Sequence, residues 1–306
     1  MLSFIVIGKN EGWRLQKCLQ SVRNVVQCDH IADWELIYVD SQSSDSSIEY
    51  AKQAGALVFL ITGVCNAAIA RNIGAKEAKG DILFFIDGDM EILPGFLPCV
   101  LEDEKTLRYP FVSGIFNDIQ HDKDWNYVST TRRHALKEGD PDAVEITTGG
   151  LFLITHDLWN RVGGMDVRFR RSQDYDLGLR LAGQGVPLHR KSVVLANHYM
   201  QQYAIRQDYI PNVKYTALLL RKHWRGTYLR IFVRQQYTTI ILLLAVLLSF
   251  ITPYFLLLYL FAVIYKIAGQ HLNWKQWYTP VARDVYLIGA LFFFWETPPE
   301  VKYVGK

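Results

Sequence analysis

Ile82-Leu-Phe-Phe-Ile-Asp-Gly-Asp89 is the stretch on which the reading of this chain turns. Its short, unbroken apolar run, bounded by polar residues, predicts a strand covered on both faces. The run stops at two carboxylates separated by a glycine. In an extended chain residues i and i+2 project to the same side, so Asp87 and Asp89 point together, and Gly88 lets a ligand approach the backbone. Two hard oxygen donors at a strand end suit Mg2+ or Mn2+, which keep coordination positions open for phosphate oxygens. An isolated Asp-Gly-Asp also fits an ordinary turn; its place directly after a strand favours the metal reading.

Upstream, strands and helices alternate. Ser3 to Ile7 reads as a strand, and Asn10 and Glu11 open a helix with Leu15, Cys18, Leu19, Val22 and Val26 on one face. Glu35 to Val39 is a second strand ending at Asp40, and the polar stretch Ser41 to Ser44 leads to a helix over Ser46 to Gln53. Ala56 to Ile61 is a third strand, followed by a helix from Asn66 to Ala78 with Gly80 as its C-cap. This alternation predicts a mostly parallel α/β sheet. Such sheets bind ligands at the carboxyl ends of their strands, where Asp40 and Asp87 fall. No GxGxxG follows the first strand and no GxxxxGK[ST] occurs, so a glycine-rich phosphate cradle is excluded.

The chain has 306 residues, enough for one large core and an appendage. Its net charge of +3 is too small to indicate a nucleic-acid partner. Cys18, Cys28, Cys65 and Cys99 show neither CxxC pairing nor a histidine at ligand spacing, and read as reduced thiols. The sequence opens directly on a strand, without the basic and apolar regions of a signal peptide, so the front of the protein is expected in the cytosol.

Five segments, in order, resemble the family 2 glycosyltransferases of the GT-A fold. They are Ser3-Phe-Ile-Val-Ile-Gly-Lys-Asn-Glu11; Val39-Asp-Ser-Gln-Ser-Ser-Asp45; Ala70-Arg-Asn-Ile-Gly74 with Ala78-Lys-Gly80; Phe85-Ile-Asp-Gly-Asp89; and Val162-Gly-Gly-Met-Asp166 followed by Gln173-Asp174-Tyr-Asp176. The resemblance implies a Rossmann-like nucleotide-diphospho-sugar transferase domain over residues 1–204. It also implies inverting transfer from a nucleotide-sugar, with UDP-sugar favoured by family habit. Asp40 would then bond the base and Arg71 the base or phosphate, while Asn72 and Gly74 shape local packing. Asp87 and Asp89 would hold the metal on the diphosphate, and Asp87 would also meet the donor. Asp174 would be the general base, taking the acceptor hydroxyl's proton. Gln173, in place of the family's usual Glu, is grouped with the donor-binding residues. Asp176 with Arg180 reads as a helix-surface ion pair. Gly149 and Gly150 either bring backbone close to donor sugar or acceptor, or mark a strand bend. His198, after the strand-like Ser192 to Ala196, matches a family histidine near metal or diphosphate. His121 and His134 lie in a polar, acceptor-facing insertion over residues 117–143, with no spacing that suggests a metal pair.

The last third differs in character. Arg206, Lys214, Arg221, Lys222, Arg225, Arg230 and Arg234 face a single acid, Asp208, and alternate with aromatics and aliphatics, as in helices lying among lipid headgroups. This interface segment covers residues 205–235. Tyr237 to Tyr265 carries no charge and exceeds the ~20 residues that cross a bilayer, with Pro253 set to split it. Val285 to Trp295 is a shorter apolar piece. Positive charge on both sides, Lys266, Lys275 and Arg283 following Arg230 and Arg234, favours a hairpin at Pro253 or two short tilted helices. Residues 236–306 thus read as a helical membrane region and tail. Attachment to a bacterial-type inner or plasma membrane implies a membrane-borne glycan or lipid-linked acceptor. A lipid phosphate acceptor, as in polyprenyl-phosphate sugar synthases, would make Asp174 nearly dispensable; a non-catalytic nucleotide-sugar-binding anchor is the third reading. The Gln-x-x-Arg-Trp element of processive synthases has only Gln202 and Arg206, one residue further apart and without the Trp.

Overall fold

The computed structural model describes residues 1–103, 106–134, 136–202, 209–269 and 278–305. Arg206, Asp208 and Lys275 lie outside them. The chain forms two compact units, Met1–Ala204 with Pro298–Lys306, and Ile205–Thr297.

In the first unit β1 (Leu2–Gly8), β2 (Trp34–Asp40), β3 (Leu57–Ile61) and β4 (Ile82–Asp87) run parallel in the order β4-β1-β2-β3. They are joined by α1 (Trp13–Cys28), α2 (Ser47–Gln53) and α3 (Ala67–Glu77). Side chains alternate across β1. Phe4 and Val6 pack with Leu15, Cys18, Leu19 and Val22 of α1, whereas Ile5 and Ile7 pack with Ile69 and Ile73 of α3. Both faces are therefore covered, which is why these strands read as continuous apolar runs.

Beyond β4 the sheet becomes mixed. β5 (Met90–Ile92), α4 (Leu97–Val100) and the small ladder of β6 (Leu101–Glu102) and β7 (Thr106–Leu107) precede β8 (Phe111–His121), β9 (Tyr127–Arg132), β10 (Ala143–Glu145) and β11 (Phe152–Thr155). α5 (His156–Val162) and α6 (Gln173–Gly183) lead into β12 (Leu188–Gln201). β11 is antiparallel to β4 and β8, while β12 runs parallel to β8 and antiparallel to β5. Of the segment 117–143, the end of β8 and the whole of β9 belong to the sheet, so the expected insertion is anchored on it. The architecture is the α/β sheet expected, with its second half mixed instead of parallel.

Local details differ from the pattern reading. α1 starts at Trp13 and buries Val25 more fully than Val26. α3 ends at Ala78, which is extended and serves as the C-cap. Gly80 has a different use: a Cβ there would lie 2.6 Å from the Met1 carbonyl oxygen. The Asp176–Arg180 pair forms at 2.9 Å, but Asp176 is buried, because α6 packs its first turn inward. The tail also leaves the group assigned to it. β13 (Tyr303–Gly305) adds antiparallel to β3, Thr62 N–H donates to the Lys302 carbonyl at 2.9 Å, and Tyr303 O–H donates to Glu77 at 2.5 Å.

The second unit holds α7 (Tyr209–Asn212), α8 (Lys214–His223), α9 (Tyr228–Gln235), α10 (Tyr237–Ser249), a 3-10 turn at Pro253–Phe255, α11 (Leu256–Gly269) and α12 (Tyr278–Phe293). Pro253 lacks an N–H and starts the turn, splitting the long apolar run into two helices that pack on each other. Among the described residues no single helix is long and apolar enough to cross a membrane; α9 and α10 qualify only as a pair bent by 74°. Polar residues tie the helices together. Asp284 accepts from Thr239 at 2.7 Å and Tyr259 at 3.2 Å, and Lys266 donates to Thr238 at 3.0 Å. Outward-facing positions are apolar, including Phe250, Phe261, Tyr265 and Phe293.

Helix α3 approaches β1 closely at Gly74, where a Cβ would stand 2.2 Å from Ile5 Cγ2. Gly74→Ala is expected to destabilise the protein by about 1–3 kcal/mol in thermal or denaturant unfolding. Gly183→Ala, at the open end of α6 with nothing within 4 Å, should be neutral or stabilising. Equal effects would contradict this account of the packing.

Candidate active site

The register of the parallel strands brings their carboxyl ends level: Gly8 pairs with Asp40, and Ile7 with Asp87. An open cleft of about 410 Å³ lies at this edge, lined by Gly8, Lys9, Glu11, Ser41, Cys65, Asn66, Asp87 and Asp89. Asn66 caps α3, accepting from Ile69 N–H at 2.9 Å, and so fixes the loop after β3.

Acidic groups crowd the cleft. Burial, then the charge of Asp89, pushes the Glu11 carboxyl up to about 7. Burial also raises Asp87, with Asp89 and Asp174 adding to the shift and Arg71 opposing it. Arg14 answers part of this charge, 2.6 Å from Glu11 and 3.8 Å from Asp89. His198, opposite Met90 on β5, answers more: its Nε2 is 3.3 Å from Asp89 Oδ2. Its Nδ1 donates to Asp118 at 2.7 Å, and Asp118 in turn accepts from Arg133 at 2.8 Å and 3.0 Å. Burial alone would lower the imidazole's pKa, yet the bonds to Asp118 and Asp89 outweigh it and bring it to about 9.

Asp87 and Arg71 form one unit. Arg71 is buried and donates to Asp87 at 2.5 Å and to the Gly150 carbonyl at 3.2 Å. Arg71, expected at base or phosphate, here keeps its guanidinium against Asp87 and the Gly150 carbonyl and orients Asp87. Asp40, expected to bond the base, is likewise engaged within the protein. It is 1% exposed, and its oxygens accept from Tyr38 O–H at 3.0 Å and Ser43 N–H at 2.8 Å. The carboxylate holds the turn after β2, leaving Ser41, Cys65 and Asn66 at the surface on that side. Asn72 does shape packing as expected, exchanging two hydrogen bonds with the Met165 backbone at 2.7 and 2.8 Å.

Gly149 and Gly150 have different uses. Gly149 has φ +68° in open space, while a Cβ on Gly150 would lie 2.2 Å from Asp87 Oδ2. The glycine pair thus lets the 147–151 segment pass against Asp87. Just before it, Thr147 O–H donates to Asp174 Oδ2 at 3.0 Å, and Thr148 N–H to the Asp174 carbonyl at 3.3 Å. Asp174 lies in the first turn of α6, where the helix end favours a carboxylate. Gln173 Oε1 beside it is buried without a hydrogen-bond partner. The fold therefore gathers Asp87, Asp89, Asp174, Gly149, Gly150 and His198 around one site. His121 and His134 stay apart, the latter edge-on to Phe116 at 4.9 Å.

Two features escaped the sequence. Asp118 and Arg133 orient His198, but Asp118 is brought to it only by the pairing of β8 with β12. Glu11 lay inside a quoted motif without a role. Among the described residues no three His, Cys, Asp or Glu side chains converge as a complete metal cage. Asp89 Oδ1 is nevertheless buried without a partner, and the 3.3 Å between Asp89 Oδ2 and His198 Nε2 is close to the ~3 Å separating adjacent ligands of an octahedral ion with bonds of about 2.1 Å.

His198 also makes a prediction for the metal-free protein. Its folded pKa lies above the ordinary 6.5, so its stabilisation is complete below pH 6.5 and vanishes as pH rises through about 9. That amounts to on the order of 3 kcal/mol. Denaturant unfolding from pH 6 to 9.5 should show this fall, and His198→Gln should flatten it; a parallel profile in the variant would contradict the assignment.

The model of glycosyl transferase family 2 matches residues 3–171. An uncharacterized glycosyltransferase of Haemophilus influenzae is 27% identical over 197 residues, 59% of this chain and 62% of that protein. Polypeptide N-acetylgalactosaminyltransferase 8 of Drosophila melanogaster is 27% identical over 131 residues, 37% of this chain and 22% of that protein. The chain thus spans less than two thirds of the length of these relatives. Among solved structures, GalNAc-T7 with UDP, GalNAc and Mn2+ aligns with a TM-score of 0.58 at 19% identity, covering 73% of this chain and 48% of that one. S. aureus TarS 1-349 aligns at 0.52 and 15% identity, covering 72% and 65%. These two likenesses, at such identities, concern the fold. The family match covers more than half of the chain and contains the strand ends that build the cleft: the chain belongs to glycosyl transferase family 2.

Proposed function

We propose that the protein transfers a sugar, with inversion, from a UDP-sugar to a hydroxyl of a membrane-borne glycan or lipid-linked acceptor. The observation that carries this is the Asp89–His198 pair at the head of a cleft crowded with carboxylates. Asp89 and His198 would hold one divalent ion, Mn2+ or Mg2+; the GalNAc-T7 structure named above contains UDP and Mn2+. The chemistry such an ion would supply there is stabilisation of negative charge on the departing nucleoside diphosphate. Asp118 fixes the His198 ring and leaves Nε2 toward Asp89. Asp87, locked by Arg71, faces the donor, and the backbone at Gly149 and Gly150 gives the sugar close approach. Asp174, held by Thr147, takes the acceptor hydroxyl's proton as the oxygen attacks the anomeric carbon from the face opposite the leaving group.

Calorimetric titration with UDP should show binding that depends on Mn2+ and weakens about tenfold or more in Asp89→Ala. Asp174→Asn should keep UDP affinity and lose about two or more orders of magnitude in transfer rate. UDP binding indifferent to metal and to Asp89 would contradict the metal assignment. An undiminished rate in Asp174→Asn would point to an acceptor that is already ionised, such as a lipid phosphate.

The second unit supports the membrane-borne acceptor. α9 exposes Leu229 and Val233 beside Arg230 and Arg234, a combination suited to anionic headgroups. Phe250, Ile251, Tyr254, Phe261 and Phe293 are further large apolar side chains exposed in this unit, side chains suited to lipid contact. In this reading the unit sits in the cytoplasmic leaflet of a plasma membrane, with the catalytic unit in the cytosol. The full chain should float with phosphatidylglycerol vesicles, and Arg230→Glu with Arg234→Glu should weaken this at low salt; remaining at the bottom of the gradient with every vesicle would contradict it.

A further inference from the structure

At the Asp89 end of the cleft an aromatic group stands outside the machinery described so far. Trp13 opens α1, Trp125 lies in the turn between β8 and β9, and Tyr199 comes from β12. The Trp13 ring is edge-on to Trp125 at 5.4 Å and to Tyr199 at 5.3 Å, and His121 is 5.5 Å from Trp125. Although Tyr199 and His121 are buried, Trp13 is 39% exposed and neighbouring Tyr127 is 63% exposed. Two large aromatics thus remain open to solvent over a base of packed rings.

Arg14 ties this group to the reaction centre. Its guanidinium lies 4.7 Å over the Trp125 ring, while Nη1 is 3.8 Å from Asp89 Oδ2 and donates to the Tyr199 carbonyl at 3.4 Å. One side chain therefore spans from the Trp125 ring to the carboxylate assigned to the donor diphosphate. Trp125 is also held in an unusual backbone conformation, φ +63°, which is costly for a bulky residue. Asp122 stabilises the turn, accepting from Asp124 N–H at 2.8 Å and Asn126 N–H at 2.9 Å, and Gln201 donates to the Lys123 carbonyl at 3.1 Å. The turn thereby fixes the direction in which the indole projects.

We propose that Trp13, Trp125 and Tyr127 form a subsite for a pyranose ring of the acceptor. The proposal rests on the transferase reading given above and names the side from which the acceptor enters. The negative face of an indole attracts the polarised C–H groups on one face of a pyranose, while the ring hydroxyls remain free for polar partners and water. Ser41, Cys65 and Asn66 lie along the strand ends on the other part of the cleft, so nucleotide and acceptor share only the region around Asp89. Membrane-borne saccharides present such rings; a bare lipid phosphate does not.

Saturation-transfer NMR on the full chain tests this, irradiating aromatic protons in the presence of methyl glucoside, galactoside, mannoside and N-acetylglucosaminide. At least one pyranoside should receive saturation at its ring protons and bind about tenfold more weakly to Trp125→Ala. Trp125→Phe should retain binding, and Trp13→Ala provides a second loss at a site independent of the turn; thermal melting establishes that each variant is folded. No transfer to any pyranoside, or equal transfer in folded Trp125→Ala and Trp13→Ala, overturns the proposal. Transfer from these rings to UDP–Mn2+ instead would assign the platform to the donor and also overturn it. UDP titration of the unaltered protein separates the two levels: its failure removes the transferase reading, whereas the pyranoside result bears on the subsite.

Discussion

Glu11, Asp87 and Asp89 are forced together at one corner of the sheet, and the surrounding structure is arranged around their repulsion. Raising Glu11 from 4.5 to about 7 means that ionising it costs on the order of 3 kcal/mol more than in water. Three cations moderate the field from three directions: Arg71 from beneath, Arg14 from α1 and His198 from β12. Each is aimed by something else. Arg71 is anchored on the Gly150 carbonyl, and His198 on Asp118. A divalent cation carried by a diphosphate would ease the crowding of carboxylates that raises Glu11 and Asp87.

What the sequence disclosed follows from how local each signal is. β4 and its two terminal aspartates were legible because a strand's alternation and its end can be read within eight residues. The role of Arg71 was not, because α3 shows only that one of its faces is buried. That the guanidinium meets Asp87 and Gly150 depends on β11 returning antiparallel beside β4. Asp40 was placed correctly at the strand end, yet its neighbour Tyr38, two residues back on the same side, takes one of its oxygens. Gly80 shows the same limit: a glycine after a helix suggests a cap, whereas here it makes room for the Met1 and Ser3 backbone. Asp118 lies 80 positions from His198, and no spacing rule joins them.

The chain also leaves the catalytic unit after β12 and comes back to it as β13, so the second unit is tethered at both ends. β3 would otherwise present an unpaired edge, a position prone to unwanted strand pairing. Covering it with β13 also braces the segment beyond β3: Thr62 bonds Lys302, and Gly63 lies against Glu300 and Lys302. Cys65 and Asn66, a few residues on, line the cleft. The return of the tail thus connects β13 to the wall of the cleft. Composition could not show this, because the tail follows an apolar region and is too short to carry a period.

The central claim is that Asp89 and His198 together receive a divalent ion. Anomalous scattering at the manganese edge, from crystals grown with UDP and Mn2+, tests it most directly. The account predicts one peak within bonding distance of the Asp89 carboxylate and His198 Nε2, with diphosphate oxygens completing its shell. A peak centred on Asp87 and Glu11 without His198, or UDP bound in the cleft with no manganese beside it, would contradict the account.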